Sequence, residues 1–165
     1  MSALLVSVAT VAFLGYQTVI MRAQIEAAVW PHIQIGTSCC RDGFHIDVQN
    51  KGVGPAIIKY AVVKVDGKPM RTWREALTAL LHNDPGDYDT DALSRRVLAA
   101  NDTVRALDVK SPDLAVKIAG EAGKGRLTGE LCYCSVLEEC WRATTYDRKT
   151  EPACPVTPPT VSFDQ

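Results

Sequence analysis

The sequence predicts a mainly β protein: an N-terminal transmembrane helix followed by an antiparallel, immunoglobulin-like β-sandwich with two short helical insertions. Three observations carry that expectation. Residues 3–21 hold no charge and are Ala, Leu, Val, Ile, Phe and Met except for Ser7, Thr10, Gly15, Tyr16, Gln17 and Thr18. Past residue 31 the apolar spacing changes from helical to alternate, in about seven short runs separated by turn residues. Six cysteines, Cys39, Cys40, Cys132, Cys134, Cys140 and Cys154, all lie beyond the apolar segment, as in exported domains held by disulfides.

Nineteen residues of helix rise about 28 Å, close to the hydrocarbon thickness of a bilayer. The chain therefore divides into a span with its juxtamembrane extension (1–30), a sandwich domain (31–146) and a proline-rich tail (147–165). With 18 basic and 19 acidic residues the net charge is −1, and no Lys/Arg run exceeds a pair. That excludes a nucleic-acid footprint and a polybasic collar for anionic lipid. The apolar run is longer than a signal-peptide core, no Lys or Arg precedes it, and no small-x-small site follows closely, so an uncleaved anchor is expected. Arg22 directly after the span argues weakly for a cytoplasmic domain. The cysteines argue more strongly for the opposite, a single-pass protein of the bacterial cytoplasmic membrane with its C-terminal domain in the periplasm.

In chain order, the helix is expected to run on through residues 22–29 until Pro31, placing Trp30 at the headgroup layer or the base of the domain. Ile33 and Ile35, then Phe44, Ile46 and Val48, alternate with polar residues, which predicts a hairpin with Cys39 and Cys40 at its tip. The Asn50-Lys-Gly-Val-Gly-Pro-Ala56 stretch is a tight crossing, in which Gly52 and Gly54 permit positive φ. Residues 56–65 are β-branched enough for a central strand, closed by a turn at Asp66-Gly67. Thr72-Trp-Arg-Glu75 fits a capping box opening a short amphipathic helix. An acidic loop (82–90) leads to two strands, 96–100 and 103–109. Ser111-Pro112 opens a second helix ending near Gly123 or Gly125. Residues 126–135 and 140–146 form a final hairpin, and the tail beyond residue 147 cannot pair regularly.

Two phrases, Asn50-Lys-Gly-Val-Gly-Pro-Ala-Ile-Ile-Lys59 and Cys132-Tyr-Cys-Ser-Val-Leu-Glu-Glu-Cys-Trp141, together with Val29-Trp-Pro-His-Ile33, resemble a group of uncharacterised bacterial single-span membrane proteins with an extracytoplasmic β-sandwich-like domain. The resemblance runs from the span to about Trp141 and implies topology and location, with no activity to carry over. The Asn-x-Gly-x-Gly-Pro-Ala turn is also loosely similar to adhesion-type sandwich modules.

Among groups that carry chemistry, a five-residue loop (135–139) places Cys134 opposite Cys140, within reach of a cross-strand disulfide. Cys132 lies two residues earlier on the same face and can reach Cys39 or Cys40, leaving Cys154 to tie down the tail. The competing use of Cys132, Cys134 and Cys140 is a thiol or soft-metal site for copper or zinc, but neither a zinc-ribbon pair nor a thioredoxin-type Cys-x-x-Cys is present. Asp87, Asp89 and Asp91 match the opening of a calcium loop, which then fails at Ala92 and Leu98 and leaves only an irregular site. Neither G-x-S-x-G nor H-E-x-x-H occurs, and His32, His45 and His82 read as surface residues.

The expectation is thus a membrane-anchored binding or scaffold protein without a cofactor, favoured over an enzyme whose site the sequence does not reveal, contacting the bilayer through residues 3–21 and a protein partner or a second copy of itself. An accessory role in a larger membrane or envelope assembly fits it, and the thiol or metal protein is the alternative. The candidate contact residues are Lys51, Val53 and Pro55 in the glycine turn and Trp73 at the start of the first inserted helix.

Overall fold

The N-terminal segment forms one continuous helix, α1 (Ser2–Ala28). In this computed structural model, which describes residues 2–145, 151–152 and 163, the stretch Val6–Ala28 is long and apolar enough to cross a membrane, and its apolar window is not buried against the rest of the protein. Two of its hydroxyls are satisfied within the helix: those of Thr10 and Thr18 donate to the carbonyls of Val6 (2.8 Å) and Leu14 (2.9 Å). Arg22 and Glu26, one turn apart, pair at 2.9 Å. The helix ends before Pro31, whose ring disfavours helical backbone at the preceding residue.

Among the described residues, nine strands and two further helices follow. Strands β1 (Ile33–Cys39), β2 (Phe44–Asn50) and β6 (Thr103–Val109) make a three-stranded antiparallel sheet in the order β1-β2-β6. The second sheet runs β4 (Lys68–Met70), β3 (Ala56–Val65), β7 (Leu127–Cys134), β8 (Cys140–Thr144) and β9 (Glu151–Pro152), with β5 (Val97–Leu98) beside β3. All pairings are antiparallel. The alternating residues Phe44, Ile46 and Val48 of β2 and Ile58, Val63 and Val65 of β3 share one buried cluster with Leu107 and Leu131, so the inner faces of both sheets meet in a common core.

Helix α2 (Trp73–Leu81) begins as its sequence requires. The Glu75 amide donates to Thr72 Oγ1 at 3.2 Å, while the Glu75 carboxylate accepts from the Arg71 amide, one residue before the cap. Trp73, Ala76, Leu77 and Leu80 form its buried face. Helix α3 (Pro112–Gly123) has proline in its first turn and buries Ala115 and Ile118, although the Ser111 side chain makes no capping bond.

Four expectations change in detail. The tail does pair: Glu151–Pro152 forms β9 beside β8, against the expectation that its prolines exclude regular pairing. Residues 96–100 contract to the two-residue β5, because Arg95 and Asn101 adopt left-handed backbone on either side of it. Lys68–Met70, past the Asp66-Gly67 turn, pairs with β3 as a strand; Asp66 and Gly67 have φ of 50° and 77°, the geometry of a tight hairpin turn. Gly52 and Gly54 do not have positive φ, and they serve a different end described below.

The register defines two ends of the domain. At one, α1 enters β1, β2 ends at Asn50, and the starts of β3 and β6 lie beside Ile57↔Cys134 and Gln49↔Thr103 pairs. The 135–139 loop and β5 therefore sit at this helix end. The opposite, far end carries the Cys39-Cys40 tip, the Asp66-Gly67 turn and the entry to α3.

Candidate functional site

The most constrained site in the described structure is the junction between α1 and the domain, and it is built around Asn50. Its side chain is fully buried. Oδ1 accepts from the backbone N–H groups of His32 (3.2 Å) and Gly52 (3.0 Å). Nδ2 donates to the carbonyls of Gly54 (2.8 Å), Ala99 (3.1 Å) and Leu98 (3.2 Å). One amide thus fastens the exit of α1, the glycine turn and the segment after β5. Backbone bonds complete the knot: the amides of Val53 and Gly54 donate to the Trp30 carbonyl at 3.0 and 3.1 Å, and Lys51 donates to that of His32 at 2.7 Å.

This explains the glycines. A Cβ on Gly54 would overlap the backbone of Val29, and one on Gly52 the backbone between Trp30 and His32. They are required for close approach between two backbones and not for a special φ. Trp30 stacks on His32 with ring centroids 5.3 Å apart. Of the candidate contact residues, Lys51 and Val53 are exposed and Pro55 is half-buried. Trp73 is 4% exposed and meets Phe163 edge-on at 5.0 Å between ring centroids, which makes it a core residue instead of a contact residue.

The cysteines resolve into local staples. Cys134 and Cys140 are disulfide-bonded as a cross-strand pair, Cα atoms 4.0 Å apart, in the register expected from the loop length. Cys39 and Cys40 bond to each other and not to Cys132, because the hairpin tip lies at the far end of the domain, away from the Cys132 half of β7. Cys132 is also disulfide-bonded and is buried against Tyr60 and Val62. Cys154 lies outside the described residues.

The acidic stretch is structural in its contacts. Asp89 pairs backbone to backbone with Asp108 at 2.8 Å in both directions, and its carboxylate bonds to Lys110. The Asp91 amide donates to the Arg105 carbonyl, and Asp87 stands exposed. Among the described residues, no group of three or more His, Cys, Asp and Glu side chains is arranged to hold a metal ion. The stretch works as a cover along the edge of β6.

His45 is not a free surface residue. Its Nδ1 lies 2.9 Å from Asp108 Oδ1, and Arg105 bonds Asp47 at 3.1 Å beside it. No serine, threonine or cysteine side chain bonds to His45 among the described residues, so this pair has an orienting carboxylate but no nucleophile. At the far end, Arg126 holds the Asp66 carboxylate at 2.7 and 2.8 Å and Glu121 at 2.7 Å. The Arg126 hydrogen bonds hold the Asp66 carboxyl below the usual carboxylate range; for Glu121 the bond from Lys124 is the larger cause and that from Arg126 the second.

A cleft of about 330 Å³ opens between the sheets, lined chiefly by apolar side chains including Phe44, Ile46, Val63, Trp73, Leu93 and Leu131. Glu130 is the one ionisable side chain among its described lining residues.

No family model, curated protein or solved structure matches this chain. What the molecule does is therefore argued from its own geometry. Sequence reasoning missed Asn50; the one signal for it was an amide side chain placed directly before the Gly-x-Gly-Pro crossing.

Proposed function

We propose that this protein is a membrane-anchored extracytoplasmic binding or scaffold module. In this reading α1 spans the bacterial cytoplasmic membrane and an immunoglobulin-like sandwich projects into the periplasm, as an accessory subunit of a membrane or envelope assembly. The observation that carries it is the junction: the anchor does not lead into a loose linker but is bonded through Trp30 and His32 to Asn50 and the glycine turn. A tether that only retains a domain needs length and flexibility. A scaffold needs its contact surface held at a set height and direction, which a hydrogen-bonded junction supplies.

The contact surface best suited to a partner is β1. It is the outer strand of its sheet, unpaired on its second side among the described residues, exposed from Gly36 to Cys39, and carries neither charge nor proline. Edges of that kind accept an added strand. A partner's extended segment is the expected occupant.

Gentle detergent extraction from native membranes after cross-linking from position 37 tests the reading. The expected result is a cross-linked protein species larger than the monomer, with the chain retained in the membrane after alkaline washing. A monomer that cross-links to nothing removes the scaffold. A thiol count on the denatured, unreduced protein tests the thiol-protein alternative: near zero is expected, and four or more free thiols overturn the staples.

A further inference from the structure

The helix end of the domain differs from the rest of its surface. Outside α1, six large apolar side chains are markedly exposed among the described residues: Trp30, Val53, Val97, Val116, Val136 and Leu137, each between 43% and 64%. Five of them lie at the helix end, and only Val116, on α3, does not. They come from four separate segments, brought to one end by the registers of both sheets.

Two of these segments are locked in the shape that displays them. In the 135–139 loop, the Ser135 amide donates to the Glu139 carbonyl at 2.8 Å, Ser135 Oγ accepts from the Leu137 amide at 3.1 Å, and the Cys134–Cys140 disulfide closes the base. Ser135 is buried while Val136 and Leu137 point away from the body. Val53 is held by its amide bond to the Trp30 carbonyl and by the Asn50 knot around it. Ordinary solvent loops have no use for apolar tips fixed this firmly.

The length of α1 says what covers them. Its 27 residues rise about 40 Å, the thickness of a bilayer with both headgroup layers included. A helix that crosses the membrane along this length brings Trp30 and the surrounding rim to the headgroup surface. Charge at this end is balanced, Lys51, Arg95 and Arg96 against Asp102, Glu138 and Glu139, so attraction to anionic lipid is not what holds it. From this we infer that the Val53 turn and the Val136-Leu137 loop are a second membrane contact: both dip into the headgroup–acyl boundary and seat the domain on the bilayer around its own anchor. The inference rests on the anchor reading above and extends it: the junction fixes the domain to α1, and a second contact fixes the two, as one body, against the plane of the bilayer.

Photo-cross-linking in the full-length protein separates the possibilities. A diazirine-bearing amino acid is installed singly at Phe13, Val53, Leu137 or Val116, and adducts are read by mass after illumination in native membranes and in phosphatidylethanolamine–phosphatidylglycerol vesicles. Lipid adducts are expected at Phe13, Val53 and Leu137, on the order of tenfold more than at Val116, and unchanged at high salt. Lipid at Phe13 with Val53 and Leu137 no higher than Val116 overturns the seat and keeps the anchor. Absence of lipid at Phe13 overturns the anchor itself. Protein adducts at Val53 and Leu137 in place of lipid overturn the seat in favour of a protein partner at this end.

Discussion

The two ends of the domain solve the same structural problem, closing two sheets with tight turns, by different physics. The far end has a disulfide of its own, Cys39–Cys40, and one close-approach glycine, Gly43 against the Val109 backbone, and otherwise uses surface charge: Arg126 joins Asp66 and Glu121, and Lys110 joins Asp89, all partly open to water. The helix end uses a buried amide, two glycines and a disulfide, and leaves apolar side chains outside. Charge pairs in water contribute little and tolerate movement. A buried polar group with every bond made tolerates almost none, because losing it strands its partners away from solvent. The contrast indicates that the junction with α1 is the part whose geometry matters.

The largest test of that contrast is Asn50→Ala. It strands the amides of His32 and Gly52 and three carbonyls, and should cost on the order of 4 kcal/mol in chemical denaturation of the detergent-solubilised protein. A loss below about 1 kcal/mol, within the range of an ordinary surface change, would break the comparison. Next comes a pair of matched glycine changes. Gly54→Ala forces the Val29 backbone to move and should cost about 3 kcal/mol. Gly67→Ala meets open space at the far end and pays only for its left-handed φ, about 1 kcal/mol. Equal losses at the two sites would show that the helix end is no more constrained than a hairpin turn.

Removing the helix-end staple with Cys134→Ala and Cys140→Ala together should cost about 2 kcal/mol, as expected for closing so short a loop. Melting curves with and without reductant, compared with the double variant, check it; a variant as stable as the oxidised parent removes the staple's role. The smallest effect belongs to the far end and to acid. Asp66 and Glu121 have carboxyl pKa values below their ordinary 3.8 and 4.5. Their stabilising contribution is complete above those ordinary values and is lost as pH falls through the lower folded-state values. Arg126→Gln should therefore flatten stability against pH only below about 4.5, the ordinary Glu121 value. An acid titration identical to that of the parent counts against it.

Much of the fold was legible because its determinants are local. The alternation of Phe44, Ile46 and Val48 encodes a buried strand face wherever that strand lies. Thr72 and Glu75 set the start of α2 through bonds spanning a few residues. The Cys134–Cys140 pair follows from a loop length. The Cys39–Cys40 bond was not legible, because it depends on the hairpin tip pointing to the far end, away from Cys132. Nor was the packing partner of Trp73: its helical spacing marks it for the core, but Phe163, which it meets, is ninety residues away. Gly52 and Gly54 were recognised as necessary for a reason that the structure replaces, since the chain they must approach enters from α1.

By itself the sequence determined an apolar rod of membrane length, the strand faces, two helix starts and one staple, all of them consequences of spacing along the chain. Only the tertiary structure decided that Asn50 gathers residues 32, 52, 54, 98 and 99 into one knot, and that Trp30, Val53, Val97, Val136 and Leu137 share one end. Those groupings arise from sheet register, which brings distant segments to a common edge and leaves no trace in the order of the residues.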